Sequence, residues 1–385
     1  MHLEDWEPAN VPEGRRITRR SRQRWQQTSD LICWIFSSWD GCCRVEQQVR
    51  TYTGSCKLTL SASRPLEYAG GVSVTLDGFA KLYSQRQINV QQCIYLESPG
   101  LFIGAGLDYG LSPLWRDLIN DLLIACHATL PTGSLNYPQQ ARVAKEANEA
   151  EYKRVILDKF KGWNNLIQKA VTKLHLLPLS TVVTTNYTGA IRDALSHQHF
   201  SVKALPDINE HDLVGNTKTI FHIHGLLEGA TAANFCVILS EDEYERYYGP
   251  AGTVENFLIT YFKSRNVVFM GFSFDDPYIY KILLNIKKLE DEYSKSSSGA
   301  FTKPSRYALM GLDFSEVKTR GSRKTILDVS YIQQIEEKLE NIGVIPVWYD
   351  SSDKHHRLST LIEEWFKEAN KSKPTIEEER VTYDG

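Results

Sequence analysis

Two histidines two residues apart, His222 and His224 in TIFHIHGLLEG, have the chemistry of a proton carrier or of a metal-ligand pair. On a strand that spacing places both on one face, with Ile223 on the other. No Asp, Glu or Cys stands at matching spacing nearby, so no metal site is expected. His224, at the strand's end before Gly225, is the candidate base, acting near neutrality. Asn186 in VVTTNYTGAIRDAL is the second candidate. Its amide could orient a ligand at the strand's end or cap the helix that follows; Thr185 beside it would meet the same ligand. In FIGAGLDYGLSPLW, Gly104, Ala105 and Gly106 let the backbone approach a phosphate and turn N–H groups toward it, with Asp108 in the same loop. Position 109 is Tyr, so the run is not GxGxxG and a dehydrogenase fingerprint is not supported. In VVFMGFSFDDPYIYKILL, Gly271 and Ser273 sit where a ribose or adenine could be held. Asp276 before Pro277 has the form of a helix cap and falls among the same cofactor-side residues.

All four groups follow apolar runs expected to be strands, and ligands of open α/β sheets bind outside the carboxyl ends of strands. The expected strands are LFI before the glycines, LSTVVTTN, KTIFHIHG, NFCVILS, RNVVFMGFS, RYALMGL and VIPVWYD. Helical patterns separate several of them, which predicts an α/β, Rossmann-like, doubly wound parallel sheet. The polar stretch ARVAKEANEAEYKRVILDKFKGWNNLIQKAV is expected as an inserted helical segment. Residues 1–95 read as an N-terminal extension. There KLTLSASRPLEYAGGVSVTLDGFAKLY alternates weakly and predicts a few short strands. Residues 96–368 form the expected catalytic domain and 369–385 a polar tail.

A net charge of −3 over 385 residues gives no global argument for nucleic acid or membrane, so any basic site must be local. The run RRITRRSRQRW, with Arg15, Arg16, Arg19, Arg20, Arg22 and Arg24, could meet nucleic acid or an acidic partner, although a solvated face is the better reading. Seven scattered cysteines without a CxxC pair argue against both a disulfide framework and a structural zinc site. No apolar run reaches the length of a spanning helix and no signal core is present, so a cytoplasmic location is expected.

In this order, GAG at 104–106, TTNY at 184–187, HG at 224–225, ILSEDEY at 238–244 and GFSFDDP at 271–277 resemble the sirtuin-like family, in its bacterial antiphage NADase branch. The resemblance covers roughly residues 97–368 and departs from the family pattern at Asp108 and Thr188. It implies that Asn186 is the catalytic amide, that NAD is the substrate, and that the activity is cleavage to nicotinamide and ADP-ribose. Only Cys236 lies between His224 and Gly271, so the four-cysteine zinc module of deacylase sirtuins is absent and no zinc is expected. A non-catalytic nucleotide-binding scaffold and, further off, an NAD-dependent deacylase are the competing readings. The branch further implies self-assembly and gating from outside the chain, by a separately encoded HerA-type ATPase or an Argonaute-type sensor. The extension is the expected contact surface.

Overall fold

The computed structural model describes residues 76–108, 113, 115–161, 169–215, 217–296, 303–312, 329–351 and 355–371. Seven strands form one sheet: β1 Gly100–Ile103, β2 Thr181–Thr184, β3 Ser201–Ala204, β4 Thr219–His222, β5 Val267–Met270, β6 Arg306–Leu312 and β7 Ile345–Asp350. Their order is β3-β4-β2-β1-β5-β6-β7 and every pairing is parallel. This is the Rossmann-like, doubly wound architecture. The strands are apolar on both faces because both are covered, as all-parallel sheets require. Leu101, Ile103, Val182, Ile220, Val268 and Met270 belong to one core. The residues alternating with them, Phe102, Val183, Phe221, Val267 and Phe269, belong to the other.

The chain leaves β1 toward β2 on one side and later returns to β5 on the other. The carboxyl ends of β1 and β5 therefore flank the switch point, where such sheets hold ligands.

Helix α1, Leu76–Glu97, straddles residue 95, the expected end of the extension. From Leu76 onward this corrects the expected strands, since VSVTLDGFAKLY is helical over its last eight residues. Tyr83, Val90 and Ile94 explain it: they recur at helical rather than alternating spacing and are all buried against the sheet's two cores. Residues 1–75, including the arginine run, lie outside the described residues, as does the tail beyond residue 371.

The inserted segment is helical over α2 Trp115–Ala125, α3 Tyr137–Ala147 and α4 Glu149–Lys159; beyond it follow α5 Lys169–Thr172, α6 Ala190–Ala194, α7 Glu241–Tyr248, α8 Thr253–Ser264 and α9 Pro277–Ser296. Asn148 ends α3 and caps α4, its side chain accepting from the Glu151 amide. These helices have their own core, built around Leu118, Leu122, Ala144 and Tyr152. It takes in Tyr187, Leu227, Val237 and Leu239 from the loops at the sheet's carboxyl edge. The insertion thus covers the loops after β2 and β4 at that edge.

The expected strand NFCVILS is not one. Residues 235–239 run outside the sheet, pinned where the Ile238 amide donates to the His224 carbonyl and the Tyr187 hydroxyl donates to the Ile238 carbonyl. Val237 and Leu239 fill the insertion's core while Ile238 fills the sheet's, so the alternation arises from bridging two cores. No helix among the described residues is long and apolar enough to cross a membrane.

Candidate active site

The loops after β1 and β5 meet backbone to backbone. The Gly104 amide donates to the Met270 carbonyl at 3.0 Å and the Gly106 amide to the Gly271 carbonyl at 2.9 Å. A Cβ on Gly104 would lie 2.4 Å from the Gly271 oxygen, and one on Gly271, whose φ is 62°, would lie 2.5 Å from the Leu107 nitrogen. Only glycine fits either position. Two of the three expected phosphate-facing amides are therefore engaged in this seam, which leaves the amide of exposed Ala105. Asp108 closes the short 3-10 turn after Gly104, and its side chain is outside the described residues.

The Thr184 hydroxyl at the end of β2 donates to the Ile103 carbonyl and accepts from the Asn186 amide, each at 3.0 Å. This hydroxyl ties the Asn186 turn to β1. The Asn186 side chain is buried, and its Nδ2 donates to the Gly104 carbonyl at 3.3 Å. Its Oδ1 is buried without a partner among the described residues. An unsatisfied buried carbonyl costs about 1–3 kcal/mol, so a ligand that donates to it recovers that energy. Asn186 does not cap the next helix, Ala190–Ala194, whose cap position is Gly189. Half-buried Thr185 joins the turn to β1 through its amide, 3.2 Å from the Ile103 carbonyl.

The two histidines do not share a face of β4, because the strand ends at His222. His222 is wholly buried and its Nδ1 lies 2.9 Å from the Asn186 carbonyl. A carbonyl only accepts, so Nδ1 carries the proton; burial pulls the pKa of the ring down to about 4. His224 lies one turn further on, within an aromatic box of Tyr187, Tyr244 and Tyr248. Its Nε2 is 2.7 Å from the Tyr248 hydroxyl and 3.9 Å from Asp276 Oδ2. Burial lowers its pKa to about 3, so this ring is neutral at pH 7. Desolvation outweighs the nearby carboxyl.

Asp276 is the cap its sequence context suggests. Oδ1 accepts from the Tyr278 and Ile279 amides at the start of α9, Pro277–Ser296. Oδ2 accepts from the Tyr244 hydroxyl at 2.9 Å, and burial raises the carboxyl's pKa against the lowering effect of those hydrogen bonds. Ser273 sits in the turn before it, accepting weakly from the Asp275 amide at 3.4 Å. Tyr244 and Tyr248 lie four apart on α7, Glu241–Tyr248, and so face the same way. The start of α7 is fixed by Glu243, whose Oε2 accepts from the Leu239 and Ser240 amides at 2.9 Å. Its Oε1 accepts from Lys145 of α3 at 2.8 Å. Among the described residues no group of three or more His, Cys, Asp or Glu could hold a metal ion.

The motif residues Gly104, Asn186, His224, Gly271 and Asp276 thus gather at one edge of the sheet. Sequence reasoning missed Thr184 and Tyr248, and read His222 only as the inner member of a histidine pair. The tyrosine pair in EDEYERYY at helical spacing was a readable signal; the other two depend on contacts between strands.

The profile of the SIR2-like domain family matches residues 180–324. That span includes Asn186, His224, Gly271, Ser273 and Asp276, and begins after the glycine loop at 104–106. The chain is 26% identical over 200 residues to the NAD(+) hydrolase ThsA of Bacillus cereus, covering 50% of this chain and 40% of the relative. It is 24% identical over 197 residues to the NAD(+) hydrolase ThsA of Enterococcus faecium, covering 49% and 39%. The chain spans about two fifths of the length of these relatives.

Proposed function

We propose that the chain is an NAD hydrolase of antiphage defence, cleaving NAD to nicotinamide and ADP-ribose. The observation that carries the reading is the Asn186 amide: held by Gly104, buried beside the switch point, its Oδ1 without a partner among the described residues. That oxygen would accept from a ribose hydroxyl or from the attacking water. The sirtuin-like domain and the two relatives named as NAD(+) hydrolases support NAD as the ligand.

In the reaction the bond between ribose C1′ and the nicotinamide nitrogen breaks, and its electron pair neutralises the cationic ring. Water adds to the oxocarbenium-like C1′ and releases one proton, as in glycoside hydrolysis. The leaving group departs neutral, so no general acid is needed. Asn186 orients, His224 supplies a second polar contact, and the inserted helices exclude bulk water.

Unchecked NAD loss would harm the host cell, so the activity is gated by self-assembly or by a separately encoded partner, a HerA-type ATPase or an Argonaute-type sensor. Residues 1–75, whose run from Arg15 to Arg24 holds six arginines able to pair bidentately with carboxylates or phosphates, are the proposed contact segment. The experiment is to follow nicotinamide release from NAD by purified full-length protein, with and without candidate partners. Mass photometry on the same samples reads assembly. Release that rises with assembly is expected. NAD that binds and is never cleaved under any of these conditions would instead make the chain a nucleotide-binding scaffold.

A further inference from the structure

In sirtuin-like chemistry the histidine of such a site is the natural candidate for a base. The surroundings of His224 point elsewhere. Its Nε2 meets the Tyr248 hydroxyl at 2.7 Å. Tyr248 is 5% exposed, and among the described residues its hydroxyl has no other hydrogen-bond partner. A phenol has one proton and must place it on an acceptor when buried. The Tyr244 hydroxyl already donates to Asp276 Oδ2, and that oxygen lies 3.9 Å from Nε2, beyond hydrogen-bonding range. The acceptor for Tyr248 is therefore Nε2 of the ring. In a neutral imidazole the proton then resides on Nδ1, which has no partner among the described residues.

We infer that Tyr248 locks His224 in the Nδ1–H tautomer, so that His224 meets its ligand as a hydrogen-bond donor rather than as a base. The ligand chemistry is an oxygen acceptor: the ring or hydroxyl oxygen of a ribose, or a phosphate oxygen. Asn186 Oδ1 and His224 Nδ1–H then offer one acceptor and one donor to a single polyol. Oxocarbenium-like cleavage with a neutral leaving group suits this pairing, since water adding to that carbon needs little basic assistance. The groups facing His224 are Tyr187 from the loop after β2, Tyr244 and Tyr248 from α7, and Asp276 at the start of α9. Asp276 is the only carboxyl among them; it is capped by two amides and Tyr244, and so does not draw a proton onto Nε2. Tyr248 is thus a positioning residue acting through His224.

This inference rests on the NAD reading for its ligand, and its test separates the two. Full-length protein with 15N-labelled histidine is examined by long-range 15N–1H spectroscopy, with His224→Gln assigning the His224 signals. The Nδ1–H tautomer is expected in the wild type and a mixture in Tyr248→Phe. An Nε2–H tautomer in the wild type overturns the inference, as does a tautomer unchanged by Tyr248→Phe. Neither result depends on activity, so a chain that releases no nicotinamide would defeat the NAD reading alone. In turnover, His224→Asn sets an amide N–H near the place of Nδ1, whereas His224→Gln sets one near Nε2. His224→Asn should exceed His224→Ala about tenfold or more, the worth of one buried hydrogen bond, with His224→Gln close to Ala. Tyr248→Phe should lower kcat with KM little changed. An Asn variant as inactive as Ala, together with a rate limb near pH ~6.5 that only the wild type shows, would restore the base.

Discussion

The loops after β2 and after β4 each bring one functional side chain to the same edge of the sheet, but they are built differently. Asn186 is held by backbone and by a strand hydroxyl: the Gly104 carbonyl, Thr184 and, through its own carbonyl, His222. His224 is held by side chains from a helix, Tyr244 and Tyr248 of α7, and by proximity to Asp276. The first arrangement is as rigid as the sheet. The second is only as rigid as α7, which is tied through Glu243 and Lys145 to the inserted helices. A contact on the insertion reaches His224 through α7, whereas it reaches Asn186 only through its neighbour Tyr187. The Asn186 turn belongs to the sheet, and the setting of His224 belongs to the helix.

The largest effect should come from Asn186→Ala. Loss of the amide should lower nicotinamide release by about 10³-fold or more, as for other preorganised polar groups that orient a reacting centre. Stability should shift by no more than ~1 kcal/mol, since one exchange of a held amide opens little core volume. A fold that collapses with the activity would make Asn186 a structural residue and dissolve the contrast. Next is Gly104→Ala, whose Cβ would meet the Gly271 carbonyl at 2.4 Å. The two loops would have to part, at a cost of ~3 kcal/mol or more read from the urea midpoint. A variant of unchanged stability would mean the seam is not tight.

Lys145→Met probes the helical side. Glu243 keeps its two amide donors, so the cost should be about 1–2 kcal/mol, discounted for the partial exposure of Lys145. The sharper expectation is kinetic: kcat falls while NAD affinity holds, because α7 carries Tyr248. Equal loss in both would mean that the insertion supports the whole site.

Acid tests both loops together. His222 and His224 have pKa values lowered to about 4 and about 3 in the folded chain, from 6.5. The unfolded chain therefore binds more protons in that window, and stability is full above pH ~6.5 and lost as pH falls below it. Each group contributes a slope approaching ~1.4 kcal/mol per pH unit, and the raised carboxyl of Asp276 opposes part of this. His222→Asn, which can still donate to the Asn186 carbonyl, should flatten the slope. A melting temperature flat from neutral pH to pH ~4 would show that the rings are not buried as described.

The smallest effect on the fold should come from deleting residues 1–75. Cutting at 95 would remove Tyr83, Val90, Cys93 and Ile94 from the cores, so the boundary matters. Unchanged melting with weakened assembly is expected by thermal scan and mass photometry.

What the sequence made legible were the strands with continuous apolar runs and the polar residues at their ends, because parallel sheets need both faces buried and expose their loops. The Asp276-Pro277 cap was legible for the same local reason. Helix α1 was not, since its buried positions make sense only against a sheet whose strands come later in the chain. Residues 235–239 misled because bridging two cores imitates the alternation of a strand. The protonation of His224 was hidden in a contact with a tyrosine 24 residues away. Gly104 and Gly106 looked like a phosphate loop, and most of their donors turn out to serve the neighbouring loop instead.

Asn186 is the residue through which NAD cleavage is proposed to run. The direct measurement is nicotinamide release from NAD by full-length wild type and Asn186→Ala, at matched concentration and assembly state, with folding checked by thermal melting. The account predicts release by the wild type and none detectable from an equally stable variant. Release at the same rate from both proteins would contradict it.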